Sequence, residues 1–422
     1  MELKKTARID LLKERMLSQP RYVSMEQAMI ITRAYQRHEE EPVILKRAYA
    51  LHDALCELEI GIEPQELIVG NRTKGVRYGV VFPESGISWV DQELETLPTR
   101  PQDKFLVRPE DVQTFREVIK PYWKGKSLED VLKKRYGKEI SALSTVVKIN
   151  QKDHAQGHIC PNVREWLEKG PAGLKEEAQQ HLLDCKEEQR PFYESILLVM
   201  DGVCRFLMRY HDELQKEAKQ HPDWKQDMIE TAEICKALSK RPAETFHEAV
   251  QSMWILFVVL HMESNASSFS PGRLDEILYP YYRKDRELGR LDAQRALDII
   301  ECLWLKFNQI VYLRNKNSAK YFAGFPIGFN IAVGGQDVHG EDVCNELSFL
   351  FLLAQEHIGL PQPNLSVRLH RGTGDALLKK AVRVVAKGSG MPSKFYIKPF
   401  YLCEYAHAMG VGAGELERYV TC

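Results

Sequence analysis

Glu263-Ser-Asn-Ala-Ser-Ser-Phe-Ser-Pro-Gly-Arg273 is the stretch on which the reading of this chain turns. It closes one of the most apolar runs in the sequence. Upstream, Phe246, Ala249, Val250, Met253, Trp254, Phe257 and Leu260 recur at three and four residues, the spacing of one helix face. Downstream, Leu274, Asp275, Leu278, Tyr279 and Tyr281 begin another ordered segment. Four serines and an asparagine after a buried helix need partners, because an unpaired hydroxyl or amide is costly away from water. They can satisfy the last carbonyls of the helix, or they can form the polar rim of a substrate pocket. The stretch alone leaves both open.

Composition narrows the function classes. A chain of 422 residues buries a sizeable core. Its formal net charge of -1 gives no electrostatic case for nucleic acid or an anionic membrane. No apolar run reaches membrane-span length. The start, Met1-Glu-Leu-Lys-Lys-Thr-Ala-Arg8, lacks an apolar signal-peptide core, so the expected location is the cytoplasm. None of the nine cysteines forms a Cys-x-x-Cys pair, which argues against a disulfide framework or a zinc knuckle.

From the N-terminus the pattern is helical. Ser24 with Gln27 reads as a capping box ahead of Ala28, Ile31, Ala34 and Tyr35. A second helix starts at Glu41-Pro42 and carries Ala48, Leu51 and Leu55. Glu66-Leu-Ile-Val-Gly-Asn-Arg-Thr73 reads as a strand or turn. His154 and His158 stand four apart, but Gly157 sits between them and no glutamate follows the first, so no metal site is assigned. Leu174 to Lys240 is a mostly helical, polar stretch with Leu197, Leu198, Val203, Phe206 and Leu207 on its inner faces. Asp292 caps a helix that turns Leu297, Ile300, Trp304 and Phe307 to one side.

The last third alternates. Phe329, Ile331 and Val333 recur at period two, Asp342 to Gln355 reads as a helix, Leu365, Val367 and Leu369 alternate again, and Asp375 to Lys387 is a helix closed by Gly388. Strand, helix, strand, helix implies parallel βα units and an α/β class. Sites in such folds lie at the carboxyl ends of strands, which points to the Gly334-Gly335 loop and the segment after Arg368.

Glu-Ser-Asn-x-x-Ser-x-Ser-x-Gly-Arg-x-Asp over Glu263 to Asp275, followed by Tyr279-Pro-Tyr-Tyr282, resembles the glycyl radical enzymes of the pyruvate formate-lyase type, in their dehydratase and lyase branch. The resemblance implies one such domain over residues 1–422, clear to about residue 395, with a divergent tail over 396–422. It implies a helical N-terminal region followed by an incomplete α/β barrel, about half of the family's ten-stranded barrel. Gly157-His158 matches a stretch where relatives place a substrate-contacting histidine. His158, Ser267 and Ser268 are accordingly the expected substrate-binding residues. Glycerol-dehydrating relatives carry a histidine within the stretch matching Ala266-Ser267-Ser268; its absence here counts against glycerol and leaves room for another small hydroxylated molecule.

In the family a radical S-adenosylmethionine activase with a 4Fe-4S cluster installs a glycyl radical, and no cofactor is bound directly. The resemblance thus implies a small-molecule substrate, that activase as partner, and a homodimer. Relatives carry a Gly-Cys-x-Glu loop with the thiyl-radical cysteine and a base glutamate, and a radical glycine much further on. Gly-Cys-x-Glu occurs nowhere here. Gly410-Val411 and Glu415-Leu-Glu-Arg-Tyr419 resemble the segment before that loop, which places Cys422 at or near the thiyl position. The expectation is a chain truncated there and inactive alone, or the non-catalytic half of a split enzyme. Leu402-Cys-Glu-Tyr-Ala-His-Ala-Met-Gly410 also resembles the nucleophile segment of β-galactosidases, with Glu404 and His407 as the corresponding residues. A retaining glycosidase needs two carboxylates across the sugar, and no second one is evident.

Overall fold

The chain opens with helices, and the computed structural model describes residues 3–147, 157–322, 328–389, 391–392 and 394–397. Helix α1 (Ala7–Ser18) turns Ile9, Leu12 and Met16 inward. Strand β1 (Val23–Ser24) leads to α2 (Glu26–Arg37) and α3 (Val43–Glu57), which follows Pro42 because a helix start has no use for the missing N–H. The Ser24–Gln27 capping box does not form. Ser24 pairs in parallel with β2 (Gly79–Val80), and Gln27 donates to the Met262 carbonyl at 3.0 Å. Tertiary partners win over the local cap.

Three short helices follow, α4 (Ser88–Glu93), α5 (Pro109–Thr114) and α6 (Lys120–Trp123). Next comes α7 (Leu128–Leu143), capped by the Ser127 hydroxyl and burying no residue. Helices α8 (Val163–Asp184), α9 (Arg190–Glu217) and α10 (Lys225–Leu238) supply the expected helical stretch. The middle one packs on α3, α8 and α10 and buries Val203, Phe206 and Leu207, while Leu197 and Leu198 are half-buried.

Helix α11 (Phe246–Glu263) starts at a reciprocal cap. The Glu248 N–H donates to the Thr245 hydroxyl at 3.3 Å, and the Thr245 N–H donates to the Glu248 carboxylate at 3.2 Å. Most of this helix is buried, its polar His247, Glu248, Gln251, Ser252 and His261 along with its apolar residues. Its rings join those of other elements: Trp254 lies 5.6 Å from Phe307, and Phe257 lies 6.0 Å from Phe329, centroid to centroid. The Glu66–Thr73 segment is irregular rather than a strand, because side chains of α11 satisfy its backbone. Gln251 accepts the Val69 N–H at 2.8 Å and donates to the Val69 carbonyl at 2.7 Å, and the Trp254 indole donates to Gly70 at 2.9 Å.

Beyond α12 (Leu274–Ile277) and α13 (Tyr279–Glu287), Asp292 caps α14 (Ala293–Phe307) through the Arg295 N–H at 2.7 Å. Leu297, Ile300, Trp304 and Phe307 are buried on it as expected. Then come α15 (Lys316–Phe322), β3 (Asn330–Gly334), α16 (Glu346–Ile358), β4 (Asn364–Leu369), α17 (Asp375–Val385) and β5 (Lys394–Ile397). The strands form a parallel sheet in the order β3-β4-β5, with Ile331 opposite Leu365 and Val367 opposite Phe395. Helix α16 begins later than Asp342 because Asp342 pairs back onto Gln336, and Asn345 provides the cap. The expected alternation of strand and helix is thus found as a three-stranded parallel sheet among the described residues, and the half-barrel stays an expectation. Among the described residues no helix is long and apolar enough to cross a membrane.

Candidate functional site

The motif begins where α11 ends. The Ser264 N–H donates to the Leu260 carbonyl at 3.3 Å, so backbone closes the helix. Among the described residues the hydroxyls of Ser264, Ser267 and Ser268 bond to no α11 carbonyl, which removes the helix-end role for them. The chain then runs beside β3. Gly272 bridges Ile331 in parallel, and its carbonyl accepts the Ala332 N–H at 3.0 Å.

The three expected substrate residues come together. The His158 N–H donates to the Ser267 carbonyl at 3.0 Å, and the Ser270 N–H donates to the Ile159 carbonyl at 2.9 Å. Gly157 makes this approach possible, since a Cβ on it would stand 1.4 Å from the Ser267 carbonyl oxygen. His158 and Ser268 adopt φ of 64° and 61°, a left-handed conformation that costs a side-chain-bearing residue energy and is uncommon outside functional or tightly held turns. Gly328 lies against Ser268; a Cβ there would be 3.0 Å from the Ser268 hydroxyl. His158 is exposed, and Ser267 and Ser268 are half-buried. Cys422, Glu404, His407 and His154 lie outside the described residues.

The location departs from expectation. These residues gather at the amino end of β3, beside Gly328 and Asn330, not at the carboxyl end. Asn330 donates to the Ser270 hydroxyl at 3.3 Å and accepts from the Asn364 amide at 3.1 Å, so a file of polar side chains runs along the strand starts. The carboxyl end serves as an anchor. Arg273 donates to the Gly334 carbonyl at 3.2 Å and the Gln336 carbonyl at 3.0 Å. Asp275 accepts the Gly334 N–H at 2.7 Å and the Ser348 hydroxyl at 2.6 Å. Buried completely, the Asp275 carboxyl is pushed up to about 6 by desolvation. Asn330 and Asn364 escaped the sequence reading; their signal is an amide at the first position of each of two strands.

A model of the family described as "Pyruvate formate lyase-like" matches residues 3–418. The chain belongs to this glycyl radical enzyme family. Among curated relatives, a probable dehydratase, YbiW, from Escherichia coli K12 is 33% identical over 391 residues, covering 88% of this chain and 48% of the relative. An isethionate sulfite-lyase of Oleidesulfovibrio alaskensis is 30% identical over 392 residues, covering 88% and 47%. The glycerol-bound form of the B12-independent glycerol dehydratase from Clostridium butyricum superposes with a TM-score of 0.93 at 31% identity, covering 99% of this chain and 54% of that one. The chain spans about half the length of the curated relatives it matches. The family match runs through Leu402–Gly410, the segment of the glycosidase-like resemblance.

In this glycyl radical family member the ground behind the motif is apolar and guarded. His261, on the last turn of α11, is fully buried between Phe269 and Phe329, with ring centroids 4.7 and 5.0 Å away. Its Nδ1 lies 2.6 Å from the Phe257 carbonyl, and its buried Nε2 has no partner among the described residues. Desolvation, with help from the nearby Arg72 cation, pushes the imidazole down to about 3, so it stays neutral. Tyr312 donates its phenol to the Asn265 carbonyl at 2.5 Å and fixes the start of the motif, while Arg47 pairs with Glu263. Sequence reading missed His261 because the apolar residues around it on α11 mark the helix as core.

Proposed function

We propose that these residues form the substrate-framing part of a glycyl radical lyase or dehydratase that cleaves a C–O or C–C bond in a small hydroxylated or carboxylated molecule. The observation that carries this reading is the pairing of Gly157–Ile159 with Ser267–Ser270 at the amino end of β3. It brings the backbone of His158 against that of Ser267, so residues carrying an imidazole and two hydroxyls lie close along the chain's contact. Among the described residues the His158 ring and the Ser267 and Ser268 hydroxyls have no hydrogen-bond partner, which leaves their donors and acceptors for a ligand. Similarity to dehydratases and a sulfite-lyase supports the reaction class.

The roles follow from the side chains. Ser267 and Ser268 orient the substrate through its hydroxyl groups. His158 holds the hydroxyl that departs and gives it a proton, so that it leaves as water. A glycyl radical, installed by the S-adenosylmethionine-dependent 4Fe-4S activase, supplies the hydrogen-abstracting chemistry through a cysteine for which Cys422 is the candidate. The sheet in this reading is part of a barrel, and the enzyme is a cytoplasmic homodimer. Since the sequence holds no Gly-Cys-x-Glu, these 422 residues bind substrate without turning it over, and further polypeptide supplies the base and the radical glycine.

Saturation-transfer NMR of the purified chain with glycerol, 1,2-propanediol and isethionate tests the site. Binding of one of these, weakened about tenfold in His158→Ala and in a Ser267→Ala, Ser268→Ala double variant, is expected. Binding unchanged in both variants rules the site out. After anaerobic activation the chain alone should give no glycyl radical signal in electron spin resonance; a signal would overturn its inactivity. Intact mass from the native locus separates a split enzyme, near 48.7 kDa, from a continuous larger one.

A further inference from the structure

A second site candidate is a cleft between the end of α1 and the chain around Asn308–Tyr312. The cleft offers about 120 Å³, and both charged and apolar side chains line it. Arg21, Arg77 and Asp103 supply the charge, and Val311, Tyr312 and Leu360 supply apolar surface. Asp103 is already engaged. It pairs with Arg21 at 2.8 Å and lies 3.6 Å from Arg100, a buried cation that also takes its backbone carbonyl at 2.6 Å. One carboxylate therefore serves two guanidinium groups before Arg77 is counted.

Arg77 is the unusual residue. Among the described residues no carboxylate lies within ion-pairing distance of it. Its Nη1 donates to the Met16 and Leu17 carbonyls at 3.3 and 3.4 Å, in the last turn of α1. That contact suits a helix C-terminus, but it uses one nitrogen and does not require a second cation close by. Burial and the repulsion of Arg21 both lower its proton affinity. Arg77 also holds φ at 62°, and Asp103 holds 54°, so two non-glycine residues in the left-handed region face one cleft. The Nε of Arg21 is buried with no hydrogen-bond partner among the described residues.

We propose that this cleft is a binding site for a short-chain carboxylate, its oxyanion held by Arg77 and Arg21 and its alkyl group against Val311 and Leu360. Guanidinium groups match a carboxylate's two oxygens in geometry as well as charge. The apolar lining distinguishes such a ligand from a bare inorganic anion. Tyr312 forms part of the wall and bonds to Asn265, so the cleft adjoins the back of the motif. The site stands independently of the lyase reading, because it is tested by binding to the chain as it is.

Isothermal titration calorimetry with butyrate, acetate and inorganic phosphate, at matched ionic strength, provides the test. Butyrate should bind tightest. Arg77→Asn removes the charge while accepting the positive φ, and should weaken butyrate at least about tenfold, the worth of one charged hydrogen bond. Leu360→Asp, at the half-buried rim, leaves both arginines in place and should weaken it comparably by repulsion. Phosphate binding tighter than butyrate, or butyrate binding unchanged in either folded variant, overturns the assignment.

Discussion

Single atoms set the candidate site. Gly157→Ala puts a methyl where the Ser267 carbonyl stands, so the two backbone hydrogen bonds between these segments must break. A loss of roughly 2 kcal/mol is expected, together with faster amide exchange at His158 and Ser270; exchange measured by mass spectrometry checks it. The buried titratable pair beside the motif gives a pH signature. Asp275 holds its proton up to about 6, against about 4 in an unfolded chain. Its stabilising contribution is full below the unfolded value and is lost as pH rises through about 6. His261 runs the other way. Its neutral ring contributes stability above about 6.5 that is lost as pH falls toward about 3. The two offset each other between about pH 4 and 6. Asp275→Asn should remove one of them, and urea titrations should then show stability falling by about 3 kcal/mol from pH 6 to pH 4. A variant as flat as the parent over that window would refute the assignment.

At the scale of elements, α11 organises the fold through polar side chains as much as apolar ones. Gln251 forms both hydrogen bonds of a β ladder with Val69, 182 residues away, and is fully buried. Gln251→Leu keeps the volume and strands the Val69 N–H and carbonyl. Denaturant unfolding should register a loss of roughly 3 kcal/mol, from two unsatisfied buried groups. The glutamine reads in sequence as one polar interruption of an apolar face, and periodicity has no means of pairing it with a distant loop. Asp292 behaves differently. Its cap partner is three residues away, so the helix start could be read directly.

At the scale of the molecule, the described residues form two apolar cores. The larger joins α1, α9, α11, α14, α16 and the sheet, and the smaller surrounds Phe105, Phe115 and Trp123. Helix α7 belongs to neither, with no buried residue along its length. Native-state hydrogen exchange should therefore find α7 close to unprotected and α11 exchanging only with global unfolding. Protection of α7 equal to that of α11 would show that it is covered in solution.

The sequence by itself determined what depends on near neighbours. The helical period of Phe246 to Leu260, the Asp292 cap and the alternation of Phe329 to Val333 with Leu365 to Leu369 were all legible, because period and cap are settled within a turn or a strand. The motif from Glu263 to Asp275 was legible as a family resemblance, and with it the grouping of His158 with Ser267 and Ser268. Only the tertiary structure decided that Ser24 joins a strand, that Gln27 serves Met262, and that the serine rim lies at the amino end of β3 while Arg273 and Asp275 lock the other end. Each of those outcomes depends on a partner far along the chain. A buried polar group goes to whichever partner the packing brings within hydrogen-bond distance, and local sequence does not carry that information.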